Sequence, residues 1–284
     1  MGILAQLNNP TFKVTKSDKI LIEYINSVKD TVLYKSISEI AKESELGEAT
    51  ITRFTKKLGY SGFQEFKITL AKELSIQEER SILHPSISRF ENVHETAIKL
   101  FHSTIDVLEK TISTLDVAMV ASCASTMLAT KKIYLIGMGH SGMIAMDFNY
   151  KLMRIGLNVF PISDSHTMLM MASIMSEGDT ILAISHSGQT NEIIQTSKIA
   201  QQQGAKIISL TEDKPNNLRD IADIQLTYCS NETLFETGSV NSKIPQVFIL
   251  DLIYTEMIKN QFYETLMKKI KTTETILAYK SNLL

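Results

Sequence analysis

An all-α module followed by an α/β module built on a doubly wound, mostly parallel sheet is the fold class this sequence predicts, and three observations predict it. Up to about Leu74 the apolar residues recur with helical spacing and no segment reads as a strand. After Lys131, short β-rich runs alternate with helical stretches. The chain has 284 residues, 44% of them hydrophobic, which suits about two domains, each with its own core.

Composition narrows the function before any motif is read. With 29 basic and 31 acidic residues the formal charge is −2, so a nucleic-acid surface has to be local rather than global. Cys123 and Cys229 are too few for a disulfide framework and lack the companions a zinc site needs. No apolar run approaches the roughly 20 residues that cross a bilayer, and the start MGILAQLNNP lacks the basic residues of a signal peptide. The expectation is a cytoplasmic protein with no metal, no cofactor and no membrane partner. The expected division is a helical domain over 1–78, a linker and connecting helix over 79–106, and an α/β domain over 107–284. Ser75 to Asn92 is polar, carries Pro85 and reads as a connection. Val93, Ala97, Leu100, Thr104, Leu108 and Leu115 then form the stripe of a long helix.

In the helical module, Ser36 with Glu39 three residues later matches a capping box and starts a short helix that buries Ile37, Ile40 and Ala41. Glu43-Ser44-Glu45 ends it. After a turn at Leu46-Gly47, the segment Glu48 to Leu58 offers Ala49, Ile51, Phe54 and Leu58 to the core, and Gly59 stops the helix. Two short helices joined this way are a helix-turn-helix, whose second helix enters the major groove. Its outer face carries Thr50, Thr52, Arg53, Lys56 and Lys57, with Ser38 and Lys67 completing the candidate DNA-binding set. Arg53 suits a bidentate contact to guanine, and the lysines suit phosphates. An ordinary amphipathic helix with solvated charges fits the same pattern. The run SISEIAKESELGEATITRFTKKLGYSGFQEFK resembles the helix-turn-helix of the RpiR/MurR family of bacterial transcription regulators. Gly47 stands where that family usually has a capping serine, and glycine is nearly as good a cap.

In the second module the candidate strands are Lys132 to Ile136, Asn158 to Ile162, Thr180 to Ser185, Lys206 to Leu210 and Ile224 to Tyr228. Ligands of such sheets sit beyond the carboxyl ends of the strands. The first strand runs into Gly137-Met138-Gly139-His140-Ser141-Gly142, which satisfies G-x-G-x-x-G, and Asp164 lies about where a ribose-binding acid falls. That raises a dinucleotide reading. The third strand runs into Ser185-His186-Ser187-Gly188-Gln189-Thr190, a hydroxyl-rich turn that a dinucleotide fold does not need. A phosphate monoester does, since helix N-termini offer free donors and hydroxyls complete the cage. The plainer alternative is a loop that caps its own helix through Thr190.

Both loops resemble the SIS (sugar isomerase) domain, a flavodoxin-like fold, with G-x-G-x-S in the first and S-x-S-G-x-T in the second, over about Val117 to Met257. The resemblance implies that Ser141, Ser185, Ser187 and Thr190 hold a phosphosugar's phosphate. Gly139, His140, His186, Gly188, Gln189 and Glu236 complete the expected site. Ser242-Lys243-Ile244-Pro245-Gln246 occupies the place of an S-R-x-x-Q-like run, and lysine there loses arginine's planar fork. The implied protein is not an enzyme. It is a homodimeric or homotetrameric regulator of sugar or amino-sugar catabolism genes, binding a double-stranded operator under control of a phosphorylated sugar. The alternative is an aldose–ketose isomerase, for which Glu192, Glu236, His140 and His186 are the available acids and bases. Met168, Met170, Met171 and Met175 read as a packed helix face, and His84, His94, His102 and His166 show no metal-ligand spacing. Phe248, Leu252, Tyr254, Ile258 and Phe262 suggest one long terminal helix.

Overall fold

A computed structural model describes residues 3–28, 32, 35–77, 86–88, 90–232 and 238–281. Contacts divide them into two compact units, one up to Thr96 and one from Ala97 onward. His84 and Glu236 lie outside the described residues.

The first unit is helical: α1 (Ile3–Asn8), α2 (Lys16–Ser27), α3 (Ile37–Glu43), α4 (Glu48–Lys57) and α5 (Phe63–Gln77). Thr15 with Asp18, and Ser36 with Glu39, form reciprocal capping boxes that set the starts of α2 and α3. Leu21, Ile25, Ile40, Ile51, Phe54, Phe66 and Leu70 make one buried cluster. Burying each such side chain contributes roughly 1.5–3 kcal/mol. The turn between α3 and α4 places Glu45 at φ +55° and closes with Leu46 N–H donating to Ala41 C=O at 2.9 Å. Ala49 departs from expectation. It sits exposed in the first turn of α4, and buried Thr55, whose hydroxyl donates to Thr52 C=O, takes the core position instead.

The second unit begins with α6, which starts at the end of the first (Val93–Thr114), and α7 (Val117–Ala129). Five strands follow, β1 (Lys132–Gly137), β2 (Val159–Ile162), β3 (Asp179–Ile184), β4 (Lys206–Glu212) and β5 (Ile224–Tyr228), all parallel in the order β2-β1-β3-β4-β5. They alternate with α8 (His140–Arg154), α9 (Ser165–Ser173), α10 (Asn191–Gln202) and α11 (Asn217–Ile221). The central strands β1, β3 and β4 are buried almost throughout because both faces are covered. Ile133 and Leu135 join Cys123 and Met127 of α7 and Phe148 and Leu152 of α8 on one face. Tyr134 and Ile136 join Met168 and Ala172 of α9 and Ile193 and Ala200 of α10 on the other. The chain ends in α12 (Val240–Asn260) and α13 (Phe262–Ser281). The single terminal helix expected from the apolar stripe is thus two. Gln261 leaves helical geometry at φ −130°, ψ 50°, and its carbonyl then accepts from Thr265 N–H to open α13. No single described helix is long and apolar enough to cross a membrane.

Candidate functional site

The strand order reverses between β1 and β3, which is where ligands of doubly wound sheets bind. Gly137 pairs with Ile184, so the loops after the two strands leave the sheet side by side. In the first loop a Cβ on Gly137 would stand 2.7 Å from the Ser141 carbonyl carbon, and one on Gly142 would stand 2.7 Å from Gly137 O. Two of the three motif glycines therefore serve the tight passage from β1 into α8. The third, Gly139, has φ +55° and is the N-cap of α8, with no side-chain cap hydrogen bond. The supposed ribose acid is engaged elsewhere: Asp164 caps α9, accepting from Thr167 N–H and Thr167 Oγ1 at 2.8 Å each. These bonds hold its carboxyl below the usual carboxylate range.

The second loop folds on itself. Gly188 N–H donates to Ser185 C=O, Gln189 N–H donates to Ser187 Oγ at 3.2 Å, and Gly188 C=O accepts from Leu218 N–H. Gly188 is obligatory here, because φ is +62° and a Cβ would lie 2.0 Å from Asn216 Oδ1. Thr190 is the N-cap residue of α10 but does not cap it through its side chain. Its hydroxyl instead meets buried Ser185 Oγ at 3.2 Å. Helices α7 to α12 thus fall into two groups. α7, α9 and α11 are capped by the side chains of Asp116, Asp164 and Asn216. α8, α10 and α12 have no side-chain N-cap bond. At α12 the Glu232 carboxylate, which sequence reasoning missed, accepts from Gly238 N–H and Ser239 N–H at 3.1 Å each.

The two histidines differ. His140 opens α8, its ring lies against Gly238, and its Nε2 is buried without a hydrogen-bond partner among the described residues. Burial and the nearby Lys243 charge lower its pKa against the opposing pull of Glu232, so its imidazole is neutral at pH 7. His186 turns toward the other edge of the sheet, where its Nδ1 meets Tyr228 Oη at 2.8 Å and its Nε2 lies 3.9 Å from Glu212. Burial, with Glu212 and Glu232 nearby, keeps the Tyr228 hydroxyl protonated. Glu192 is exposed in the first turn of α10. Ser242 and Gln246 are buried and bonded to one another, Gln246 Nε2 donating to Ser242 C=O, with Lys243 half-buried between them. Among the described residues no His, Cys, Asp or Glu group is placed to hold a metal ion.

In the helical unit, α4 leaves Arg53 and Lys56 exposed, with Thr50 and Thr52 half-exposed. Arg53 Nη2 lies 3.4 Å from Thr50 Oγ1, and Thr52 Oγ1 donates to Glu48 C=O. Ser38 reaches across from α3 to donate to Glu48 Oε1 at 2.6 Å. The remaining two cations are engaged inside the unit. Lys57 Nζ pairs with buried Asp18 at 2.7 Å. Lys67 Nζ donates to Lys35 C=O at 2.9 Å, and burial lowers its pKa.

Residues 1–77 match the helix-turn-helix domain of the rpiR family, and residues 126–256 match the SIS domain. An uncharacterised HTH-type transcriptional regulator of Clostridium perfringens is 56% identical over 98% of this chain and 99% of its own length. The chain belongs to the rpiR family of HTH-type transcriptional regulators. A second relative, from Haemophilus influenzae, is 34% identical over 97% of this chain and 96% of its own length. The fold of the whole rpiR-family chain is similar to that of the Vibrio vulnificus NanR protein complexed with ManNAc-6P, with TM-score 0.77 and 24% identity over 97% of this chain and 98% of that one. Its SIS part is also similar in fold to E. coli CFT073 c3406 in complex with A5P, with TM-score 0.53 and 20% identity over 62% of this chain and 98% of that one. This rpiR-family regulator therefore joins a DNA-binding module to a domain type that in other families carries isomerases.

Proposed function

We propose that this regulator controls sugar or amino-sugar catabolism genes in the cytoplasm and that a phosphorylated sugar, bound between the loops at Ser141 and Ser187, sets its affinity for operator DNA. The observation that carries the reading is the pair of helices, α8 and α10, that open side by side without side-chain caps. Unsatisfied N–H groups and the helix dipole attract an anion, and Ser141, Ser185, Ser187 and Thr190 complete a cage that needs no lysine. Neutral His140 and Gln189 suit the uncharged part of the sugar. Occupation of the NanR neighbour by ManNAc-6P makes a hexosamine 6-phosphate the first probe.

Two copies of α4 read the half-sites of a pseudo-palindromic operator, with Arg53 at base edges and Ser38, Thr50, Thr52 and Lys56 at bases or phosphates. Lys57 and Lys67 hold the module together rather than contact DNA. The signal travels through α6, which hydrogen bonds fasten to the segment that follows β5 and to the first turn of α12. Buried Thr111 accepts from Cys229 N–H at 3.0 Å, Asp106 accepts from Asn231 Nδ2 at 3.2 Å, and Ser103 accepts from Asn241 Nδ2 at 2.9 Å. The same segment carries Glu232, which accepts from the N–H of Ser239, the N-cap of α12, and Gly238, which lies beside His140.

The test is thermal unfolding against a panel of phosphorylated sugars and their unphosphorylated parents. A ligand at a hundred times its Kd adds about 2.7 kcal/mol, a shift easily read. Stabilisation by ManNAc-6P or a related hexosamine phosphate, but not by the free sugar, is expected. A panel with no response, or turnover of a phosphosugar to its isomer, refutes the reading.

A further inference from the structure

We infer that Lys13, Lys16 and Lys19 form a second DNA contact, a clamp on the phosphate backbone at one end of α4. The three fall within seven residues where α2 begins, and sequence reasoning left them out of the basic face. All three are exposed, and among the described residues none has a hydrogen-bond or ion-pair partner.

Local folding does not account for them. The N-terminal end of a helix is the positive end of its dipole and disfavours cations, yet Lys16 and Lys19 occupy the first four positions of α2. Asp18 is the one acid from Lys13 to Lys19. Its carboxylate is buried and already taken, by Lys57 Nζ at 2.7 Å and by the Thr15 N–H and hydroxyl. Three like charges crowd together with no anion of the chain to offset their repulsion, so the segment is arranged for an anion from outside.

Position selects that anion. The Asp18–Lys57 pair joins the first turn of α2 to the last turn of α4. Phe12 packs edge-on against Phe54, with ring centroids 6.3 Å apart, and Lys57 Nζ lies 5.7 Å from the Phe12 centroid. α4 has ten residues and is thus about 15 Å long. The major groove is about 12 Å wide, so a helix seated in it brings whatever packs at its end to the groove wall, where the phosphates run. Exposed Arg53 and Lys56 continue the positive charge along α4. This step rests on the proposed reading of α4 as the groove-reading helix. Phosphate contacts set register without reading sequence, so the clamp acts on any duplex.

Fluorescence anisotropy of the full chain with a labelled duplex of mixed sequence, at about 50 and about 200 mM KCl, tests the clamp. Each phosphate contact adds about 0.9 to the slope of log affinity against log salt. Lys13→Gln, Lys16→Gln and Lys19→Gln combined should lower that slope by about 2–3 and weaken binding at least about tenfold at the lower salt. This variant should melt no lower than the parent, because cations leave a positive helix end. Lys13→Arg, Lys16→Arg and Lys19→Arg combined keep the charge and should keep the slope. Lys132→Gln, Lys206→Gln and Lys271→Gln combined remove the same charge from exposed positions of the second unit and should leave the slope unchanged. The inference is overturned if the first variant binds like the parent, if the arginine variant loses the slope as well, or if the second-unit variant loses as much. A parent that binds no duplex at either salt overturns the operator reading and the clamp together, and the parent alone reveals it.

Discussion

Lys57 separates two accounts of the basic face, and Lys57→Met is the substitution that decides between them. The sequence places Lys57 among the DNA contacts, whereas its Nζ lies 2.7 Å from Asp18 Oδ2, a carboxylate with only 3% of its side chain exposed. Methionine keeps the chain length and removes the charge, leaving Asp18, among the described residues, with the Thr15 N–H and hydroxyl at 2.8 and 2.7 Å. Removing one partner of a fully buried pair costs about 3–5 kcal/mol. Lys57 is itself 37% exposed, and that exposure screens the pair, which brings the expected loss to about 1–2 kcal/mol. For a unit of this size that is a fall of about 5–10 °C in the melting temperature.

The pH dependence follows from the direction of the Asp18 shift. Burial works against its ionisation, but the bonds from Lys57 and Thr15 outweigh burial and hold its carboxyl below the usual carboxylate range. A carboxyl depressed in the folded state contributes stability above its unfolded pKa of about 3.9, and loses that contribution as pH falls through the folded value. The gap between parent and Lys57→Met should therefore be full at pH 7 and close as Asp18 protonates under strong acid. The assays are thermal unfolding across that range and operator affinity against salt. If Lys57 instead neutralised a DNA phosphate, its replacement would lower the salt slope by about 0.9. Unchanged stability with that drop in slope would refute the clamp and return Lys57 to the DNA surface.

Gly188→Ala drives a Cβ into Asn216 Oδ1, the cap of α11, and forces alanine to φ +62°. It should cost about 2–4 kcal/mol in chemical denaturation and weaken phosphosugar binding at least about tenfold. Arg53→Ala should weaken operator binding by about 1–3 kcal/mol while leaving effector affinity intact, read by fluorescence anisotropy and calorimetry. Unchanged operator affinity would remove Arg53 from the interface. Thr111→Val strips the acceptor from Cys229 N–H at nearly constant volume. It should cost about 1–3 kcal/mol in stability and reduce the effector's influence on operator affinity; a variant with parental coupling would exclude this bond from the signal path.

The strands and the loops that follow them were legible because both signals are local. A strand covered on both faces is a continuous apolar run, and a helix-start motif such as Ser36 with Glu39 declares itself within four residues. What escaped was long-range or a contest between near-equal local choices. Lys57 meets Asp18 from 39 residues away, and His186 meets Tyr228 from 42, separations that no periodicity encodes. Ala49 has the spacing of a core residue, but at the first turn of α4 the larger side chains fill the interior without it. Thr190 has every credential of a capping residue, yet its hydroxyl turns to Ser185. The glycine motif misled in the opposite way, since Gly137 and Gly142 answer to packing of β1 on α8 and would be required whatever ligand lies above them.

The unequal treatment of helix N-termini is what gives the phosphate reading its physical force. α7, α9 and α11 spend an Asp or Asn side chain on satisfying their first N–H groups, so this sequence has the means to cap helices where nothing else will. Just before α12 an anion is present from within the chain, because the Glu232 carboxylate accepts from the N–H groups of Gly238 and the N-cap residue Ser239. α8 and α10 have neither device, and they open on either side of the β1–β3 switch point. Each N-terminus is worth about 0.3–1 kcal/mol to a nearby anion, and up to ~2 kcal/mol when partly buried. Two such ends with four hydroxyls can hold a dianion firmly enough to be specific while leaving it free to exchange, which a metabolite sensor requires and a permanently bound cofactor does not.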